Sequence, residues 1–251
     1  MLVEPLIEQM RQLGCPGFEE VYLELRANPS VSDLTPDEWL GLMFSRELIR
    51  RQNKRCESKI RTAKLRQEEA VYENVDCRSP RGLDRSMFLR LGSNQWIREH
   101  IPLIITGKTG TGKTYLACAL GQKACRDNLS VVYYRCHRLF AALAIARHDG
   151  SYQKLFRTLT RANLLILDDF GPETLNAESR RDLLEIIEDR SGSGATLITS
   201  QLPVDDWHEV IGSPTLADAI LDRIAHVALR IKLTGESRRR PEAQNKEQQE
   251  G

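Results

Sequence analysis

A chain of 251 residues, 41% hydrophobic and 28% charged, can bury a substantial core and falls in the globular class, with one or two domains expected. The formal net charge of +1 excludes any argument for nucleic acid from the total, so a polyanion contact would have to come from local clustering. No apolar run approaches the roughly 18 residues of a bilayer span, and Glu4 and Glu8 break the basic-then-apolar order of a signal peptide, so a cytoplasmic protein with no membrane partner is expected.

From the amino terminus, residues 1–40 carry two bases against eight acids. The stretch TPDEWL has Thr35 as helix cap, Pro36 at the first helical position and Glu38 three residues after the cap, which predicts a helix start. Leu40, Phe44 and Leu48, then Cys56, Ile60 and Ala63, predict an apolar face along one long helix or two in succession, reaching to about residue 70. On the same stretch Arg46, Arg50 and Lys54, and Arg51, Arg55 and Lys59, form adjacent i+4 rows, and residues 46–66 hold nine bases against two acids. A solvated helix surface usually mixes its signs, so phosphate contact with DNA or RNA is favoured over an ordinary wet face. Residues 1–75 are therefore expected to form a helical DNA-binding domain, followed by a connector over 76–100 with short helical pieces from Asp84 to Leu91 and around Trp96.

From residue 101 to 235 aliphatic strands alternate with helices. The strands are predicted at LIIT (103–106), VVYY (131–134), LLIL (164–167), TLIT (196–199) and VALRI (227–231), with helices from Gly112, near Leu139–Ala146, near Ala177–Arg190 and near Leu216–Ala225. Strands without polar alternation are buried on both faces, so an α/β fold with a parallel sheet between helices is expected. Residues 236–251 have almost nothing to bury and are expected to form a disordered tail. Six cysteines form no CxxC pair and have no histidine at ligand spacing, which makes bystander thiols the expectation.

At the end of the first strand GKTGTGKT, Gly107 to Thr114, matches the phosphate-binding loop G-x-x-x-x-G-K-[ST]. Glycines let backbone N–H groups turn toward phosphate oxygens, Lys113 reaches the β and γ phosphates, and the Thr114 hydroxyl ligates Mg²⁺. The helix that follows points its positive end at the same anion. ATP and Mg²⁺ are the expected ligands, held by Gly107, Lys108, Thr109, Gly110, Thr111, Gly112, Lys113 and Thr114, with Tyr115 next in the helix. The stretch LLILDDFG ends a buried strand in two acids. Asp168 stands where such proteins hold Mg²⁺ through water. Asp169, one residue on, can face and deprotonate a water aligned on the γ phosphate, although a loop-capping acid is the other reading. A further polar group is expected from the strand between these two, as either Ser200 or Gln201. Arg223 is the candidate for an arginine offered to a neighbouring subunit's site; a helix-end arginine that offsets the dipole is equally compatible with its position.

These residues carry a resemblance. GKTGTGKTYLACALG, LLILDDFGPETL, LLEIIEDR, TLITSQLPVDDWHEVIG, PTLADAILDRIAH and GESRR, with CPGFEEVYLEL and DEWLGLMFSRE nearer the amino terminus, resemble the IstB family of helper ATPases of bacterial insertion-sequence transposition, over nearly the whole chain. The resemblance implies an AAA+ ATPase of the DnaA and DnaC group, with a five-stranded parallel sheet in a P-loop core and a small all-helical domain before it. It also implies self-association on double-stranded DNA with ATP, recruitment and stimulation of a partner transposase, and help in choosing target DNA. Carried over, Gly107 to Thr114 hold the phosphates, Asp168 and Asp169 the metal and the water, Ser200 or Gln201 is the sensor and Arg223 the finger. Two departures stand out. Many AAA+ proteins have glutamate at the position of Asp169, one methylene longer, and the usual helical lid has no room after residue 235, so that Arg238 is left to replace its arginine. A DnaC-like replicative helicase loader is the closest rival, and the basic helix together with the SQLP and ADAILDR spellings speaks against it. A small-molecule kinase would need an arginine-bearing lid that the sequence does not show. A DNA-bridging module with incidental hydrolysis would not need the second aspartate.

Overall fold

The computed structural model describes residues 3–27, 34–77 and 82–237. The chain divides into two compact units, residues 1–58 and 59–251, so the boundary expected at 75 falls earlier. Burial explains the difference, because Ala63, Leu65, Ala70 and Val75 pack in one core with Leu103 and Leu116.

The first unit holds α1 (Val3–Gln12), α2 (Pro16–Ala27) and most of α3 (Pro36–Ala63). The cap forms as its spacing predicts: the Glu38 amide donates to Thr35 Oγ1 at 3.3 Å and the Thr35 amide donates to Glu38 Oε2 at 2.7 Å. The apolar face forms only in its second half, where Ala63 is buried and Ile60 packs against the core. Leu40, Phe44 and Leu48 are 49%, 56% and 58% exposed, and Met43 and Glu47 are buried in their place. The approach of α2 decides this. The Gly17 amide donates to Glu47 Oε2 at 2.8 Å, and a Cβ on Gly17 would stand 2.9 Å from Glu47 Cα, so only glycine admits the contact. Phe44 keeps an edge-on contact with Phe18, ring centroids 4.9 Å apart. The long helix ends at Ala63, short of residue 70, where Lys64 takes φ 51°.

In the second unit α4 (Arg85–Gly92) and α5 (Gln95–Arg98) are the expected short helical pieces. Asp84 caps α4 by accepting from the Ser86 and Met87 amides, and Phe88, Leu91, Trp96 and Ile97 bury against the sheet. The sheet has the order β2-β3-β4-β1-β5, all pairs parallel, from β1 (Leu103–Gly107), β2 (Val131–Arg135), β3 (Leu164–Phe170), β4 (Ala195–Ser200) and β5 (Leu229–Leu233). β1, β3 and β4 carry the continuous apolar runs and lie inside the sheet, as buried parallel strands must. One face packs on α6 (Lys113–Arg126) with α4 and α5, the other on α7 (Cys136–Asp149), α8 (Tyr152–Arg161), α9 (Ala177–Arg190), α10 (Trp207–Ile211) and α11 (Pro214–Ile224).

Three expectations change. The helix expected near Leu139–Ala146 is α7, but a second, unexpected helix follows it before β3, because Gly150 at φ 76° ends α7 and α8 starts at Tyr152. β5 begins two residues later than VALRI, since Val227 sits in the preceding turn at 63% exposure. β5 alternates exposed Arg230 and Lys232 with buried Ile231 and Leu233, the pattern of an edge strand. β3 does not stop at Leu167 but runs through both aspartates to Phe170. Among the described residues no helix follows β5, and Arg238 with most of the expected tail lies outside them. No helix among the described residues is long and apolar enough to cross a membrane.

Candidate nucleotide-binding site

The phosphate loop leaves β1 with Gly107, Gly110 and Gly112 at φ 154°, 86° and 94°, values that side chains with a Cβ rarely adopt. At Gly110 space is a second constraint, because a Cβ there would lie 2.9 Å from Ser237 Cα where the segment after β5 crosses the loop. Lys113 is buried, its ammonium donating to the Gly107 and Lys108 carbonyls at 2.6 and 2.9 Å. The loop thus fixes its own cation at the amino end of α6, beside a cavity of about 480 Å³ that Thr109, Gly110, Gly112, Thr114 and Tyr115 also line.

The two aspartates owe their common direction to a bulge. Leu167 pairs with Ile198 and Phe170 with Ser200, so Asp168 and Asp169 together face Thr199. In a regular strand successive side chains point to opposite faces; the extra residue, with Asp169 at φ 63°, cancels that alternation. One buried hydroxyl ties both acids: Thr199 Oγ1 donates to Asp168 Oδ1 at 2.6 Å and accepts from the Asp169 amide at 3.0 Å.

Asp168 is fully buried and accepts from Tyr133 Oη at 2.6 Å and from Thr114 Oγ1 at 3.0 Å, with the Arg66 guanidinium 3.9 Å away. Burial and the adjacent carboxylate push the Tyr133 phenol well above its ordinary range, so it remains a donor. Thr114 and Asp168 are hard oxygen donors that converge on one point, a set that fits Mg²⁺; the four polar groups around the carboxylate suit coordination through water.

Asp169 Oδ2 accepts from Arg135 Nη2 at 2.7 Å and Oδ1 accepts from Gln201 Nε2 at 3.2 Å. Partial burial alone would raise its carboxyl, but the Arg135 and Gln201 hydrogen bonds outweigh that and hold it below the usual carboxylate range. Gln201 also accepts from Thr109 Oγ1 at 2.6 Å, so its amide links the phosphate loop to the second aspartate.

Of the two residues weighed for the sensor, Gln201 lines the cavity, whereas Ser200 is fully buried, donates to the Phe170 carbonyl at 2.7 Å and accepts from the Leu202 amide at 3.0 Å. Arg223 is not brought to the cavity within the chain. It pairs with Glu188 at 2.9 Å, donates to the Ala219 carbonyl at 2.8 Å, and borders a separate hollow beside Ile101, Pro102 and Gly194 at the amino ends of β1 and β4. The strand length alone puts the two ends roughly 15 Å apart. Of the basic rows, Arg46 pairs with Glu24 at 3.1 Å and Arg51 with Glu47 at 2.7 Å, while Lys59 lies in the second unit and donates to the Asn128 carbonyl. Arg50, Lys54 and Arg55 are exposed and form no hydrogen bond or ion pair among the described residues.

Sequence reasoning missed Arg135, Thr199, Gln67 and Asn74 as cavity residues and counted Arg66 only as one more base. Arg135 ends β2 and Thr199 is the last residue but one of β4, the two strands that flank the aspartates, positions readable from the βα alternation; Gln67 and Asn74 lie in an irregular segment with no periodic signal.

The chain matches the model of the IstB-like ATP binding protein family over residues 8–247. It is 53% identical to y4pL of Sinorhizobium fredii, named as an insertion sequence ATP-binding protein, over 96% of this chain and 98% of that one. It is 30% identical to the insertion sequence IS21 ATP-binding protein of Pseudomonas aeruginosa, over 94% and 88%. Among solved structures, DnaI aligns with 74% of this chain and all of its own at TM-score 0.60 and 24% identity, and the DnaC helicase loader with 66% and 97% at TM-score 0.55 and 19% identity. The structural likeness fixes the P-loop AAA+ fold. With the phosphate loop, the paired aspartates and a family match spanning both units, the chain belongs to the IstB-like ATP binding protein family.

Proposed function

We propose that the protein is an ATP-hydrolysing helper of insertion-sequence transposition, which self-associates on double-stranded DNA with ATP and recruits and stimulates a cognate transposase at selected target DNA. The observation that carries the reading is the convergence of Lys113, Thr114, Asp169 and Gln201 on one cavity, with the buried Asp168 carboxylate hydrogen-bonded directly behind Thr114. Lys113 neutralises the β and γ phosphates. Thr114 and Asp168 hold Mg²⁺, which when bound offsets phosphate charge. Asp169 orients the attacking water and takes its proton, and Gln201 couples the phosphate loop to that carboxylate. Arg223 serves the nucleotide of the next subunit, as its place at the far ends of the strands suits. Exposed Arg50, Lys54 and Arg55 bind DNA phosphates, joined by Arg46, Arg51 and Lys59 if they exchange their present partners. Relatives named for insertion sequences favour transposition over helicase loading.

The test combines ATP turnover with sedimentation on duplex DNA and capture of the transposase. Wild type should hydrolyse ATP and sediment with DNA only when ATP is present; Asp169→Asn should bind ATP, lose turnover and leave the assembly standing, since an amide cannot take a proton. Normal turnover by Asp169→Asn removes the assigned base. Capture of a replicative helicase and no transposase would return the protein to the loader reading.

A further inference from the structure

Arg135 ends β2 opposite Asp168 and pairs with Asp169, and no part of the phosphate-loop pattern points to it. Three observations set this pair apart from a structural ion pair. Arg135 and Asp169 both line the nucleotide cavity and also a second hollow of about 590 Å³ on the other side, so the pair is the partition between them and has room to move. The Arg135 Nε is a buried donor with no acceptor, so the guanidinium is only partly satisfied by the carboxylate. Of the other cations lining the cavity, Lys113 already lies on the phosphate-loop carbonyls and Arg66 stands 3.9 Å from Asp168, so Arg135 is the cation that pairs with Asp169.

Resting on the nucleotide reading above, we infer that Arg135 is a γ-phosphate-binding residue that exchanges Asp169 for the terminal phosphate when ATP, but not ADP, occupies the cavity. A terminal phosphate carries about two negative charges and three acceptor oxygens, against one charge and two oxygens on Asp169, and a planar guanidinium matches either bidentately. The exchange satisfies the orphaned Nε and frees the carboxylate at the moment a triphosphate is present. Asp169 therefore meets the attacking water only in the ATP state. Arg135 then sets both the preference for ATP over ADP and the availability of the base.

The experiment is equilibrium binding of the non-hydrolysed β,γ-imido analogue of ATP and of ADP, each with Mg²⁺, to the full chain. Arg135→Gln should weaken the analogue about 10- to 100-fold and ADP less than about twofold, and Arg135→Lys should fall between, because a point charge replaces a fork. Asp169→Asn should tighten the analogue, since Arg135 no longer has to leave a carboxylate. Most of that gain should vanish in the Arg135→Gln/Asp169→Asn double variant, whose cycle measures the coupling. A tightening cannot come from misfolding, so the inference stays exposed even if Arg135→Gln is unstable. Equal effects of Arg135→Gln on analogue and ADP, or a full Asp169→Asn gain without Arg135, overturns the exchange. If wild type binds neither nucleotide, or if Lys113→Ala binds both normally, the nucleotide reading fails first and is told apart by that result.

Discussion

Replacing Thr199 by valine isolates the hydroxyl that joins the two aspartates, because the side chain keeps its shape. Two interactions go together: the donation to the buried Asp168 carboxylate at 2.6 Å, and the acceptance from the Asp169 amide at 3.0 Å. A hydrogen bond to a charged group contributes about 1.5–3 kcal/mol, and an amide left without an acceptor costs about 1–3 kcal/mol. Asp168 retains Thr114 and Tyr133, and the amide is only half-buried, so the lower halves of those ranges apply and the expected loss is about 3 kcal/mol. For a unit of this size that is a fall of roughly 6–12 °C in the melting transition of the ATPase core, read by calorimetry on nucleotide-free protein. Thr199→Ser is the control. It keeps both hydrogen bonds and loses one methyl, so it should fall by only about 2–4 °C. The order of the two variants decides the matter: if valine is tolerated and serine is not, packing holds the bulge and the hydrogen-bond account is wrong.

Neutralising Arg50, Lys54 and Arg55 to alanine should flatten the salt dependence of duplex DNA binding by a slope of about 0.9 for each DNA phosphate no longer neutralised; an unchanged slope makes that face an ordinary wet one. Arg223→Ala and Lys113→Ala subunits should each be nearly inactive in ATP turnover and should partly restore it when mixed on DNA, because a finger given in trans is worth about 10³ to 10⁵ in rate. Full activity of Arg223→Ala alone, or no rescue although sedimentation shows the subunits joining, removes the finger role. Burial alone would raise the Glu47 carboxyl, but the Arg51 and Gly17 hydrogen bonds hold it below the usual glutamate value. Its contribution to the amino-terminal unit is therefore present above the unfolded glutamate value of about 4.3 and lost as pH falls through the lower folded value. Acid unfolding of that unit followed by circular dichroism should begin at higher pH without Arg51 than with it.

What the sequence disclosed was local. GKTGTGKT specifies its loop because glycines and a lysine at fixed spacing leave few alternatives, and LLIL and TLIT announce strands buried on both faces. The position of the polar strand between the other two followed from the same alternation and is β4. The face of α3 was misread because three apolar residues at i+4 spacing fit a core as well as they fit a surface; the close approach of Gly17 to Glu47, thirty residues away, made the choice. The choice between Ser200 and Gln201 depended on which way the strand end turned. The Arg135–Asp169 pair joins residues thirty-four apart through a bulge that no periodicity encodes.

The left-handed backbone at Asp169 bears on why this chain carries the shorter acid. Aspartate and asparagine enter that region several-fold more readily than most residues, helped by a side chain short enough to hydrogen-bond locally, whereas others incur roughly 1–2 kcal/mol. Lengthening the acid to glutamate is thus no simple gain of reach, because it relinquishes the residue type the bulge selects. In a homologue whose strand ran straight, the acid would start farther back and glutamate would be the natural occupant. Strand shape and side-chain length are two ways of covering one distance, so acid and bulge should change together when such sequences diverge.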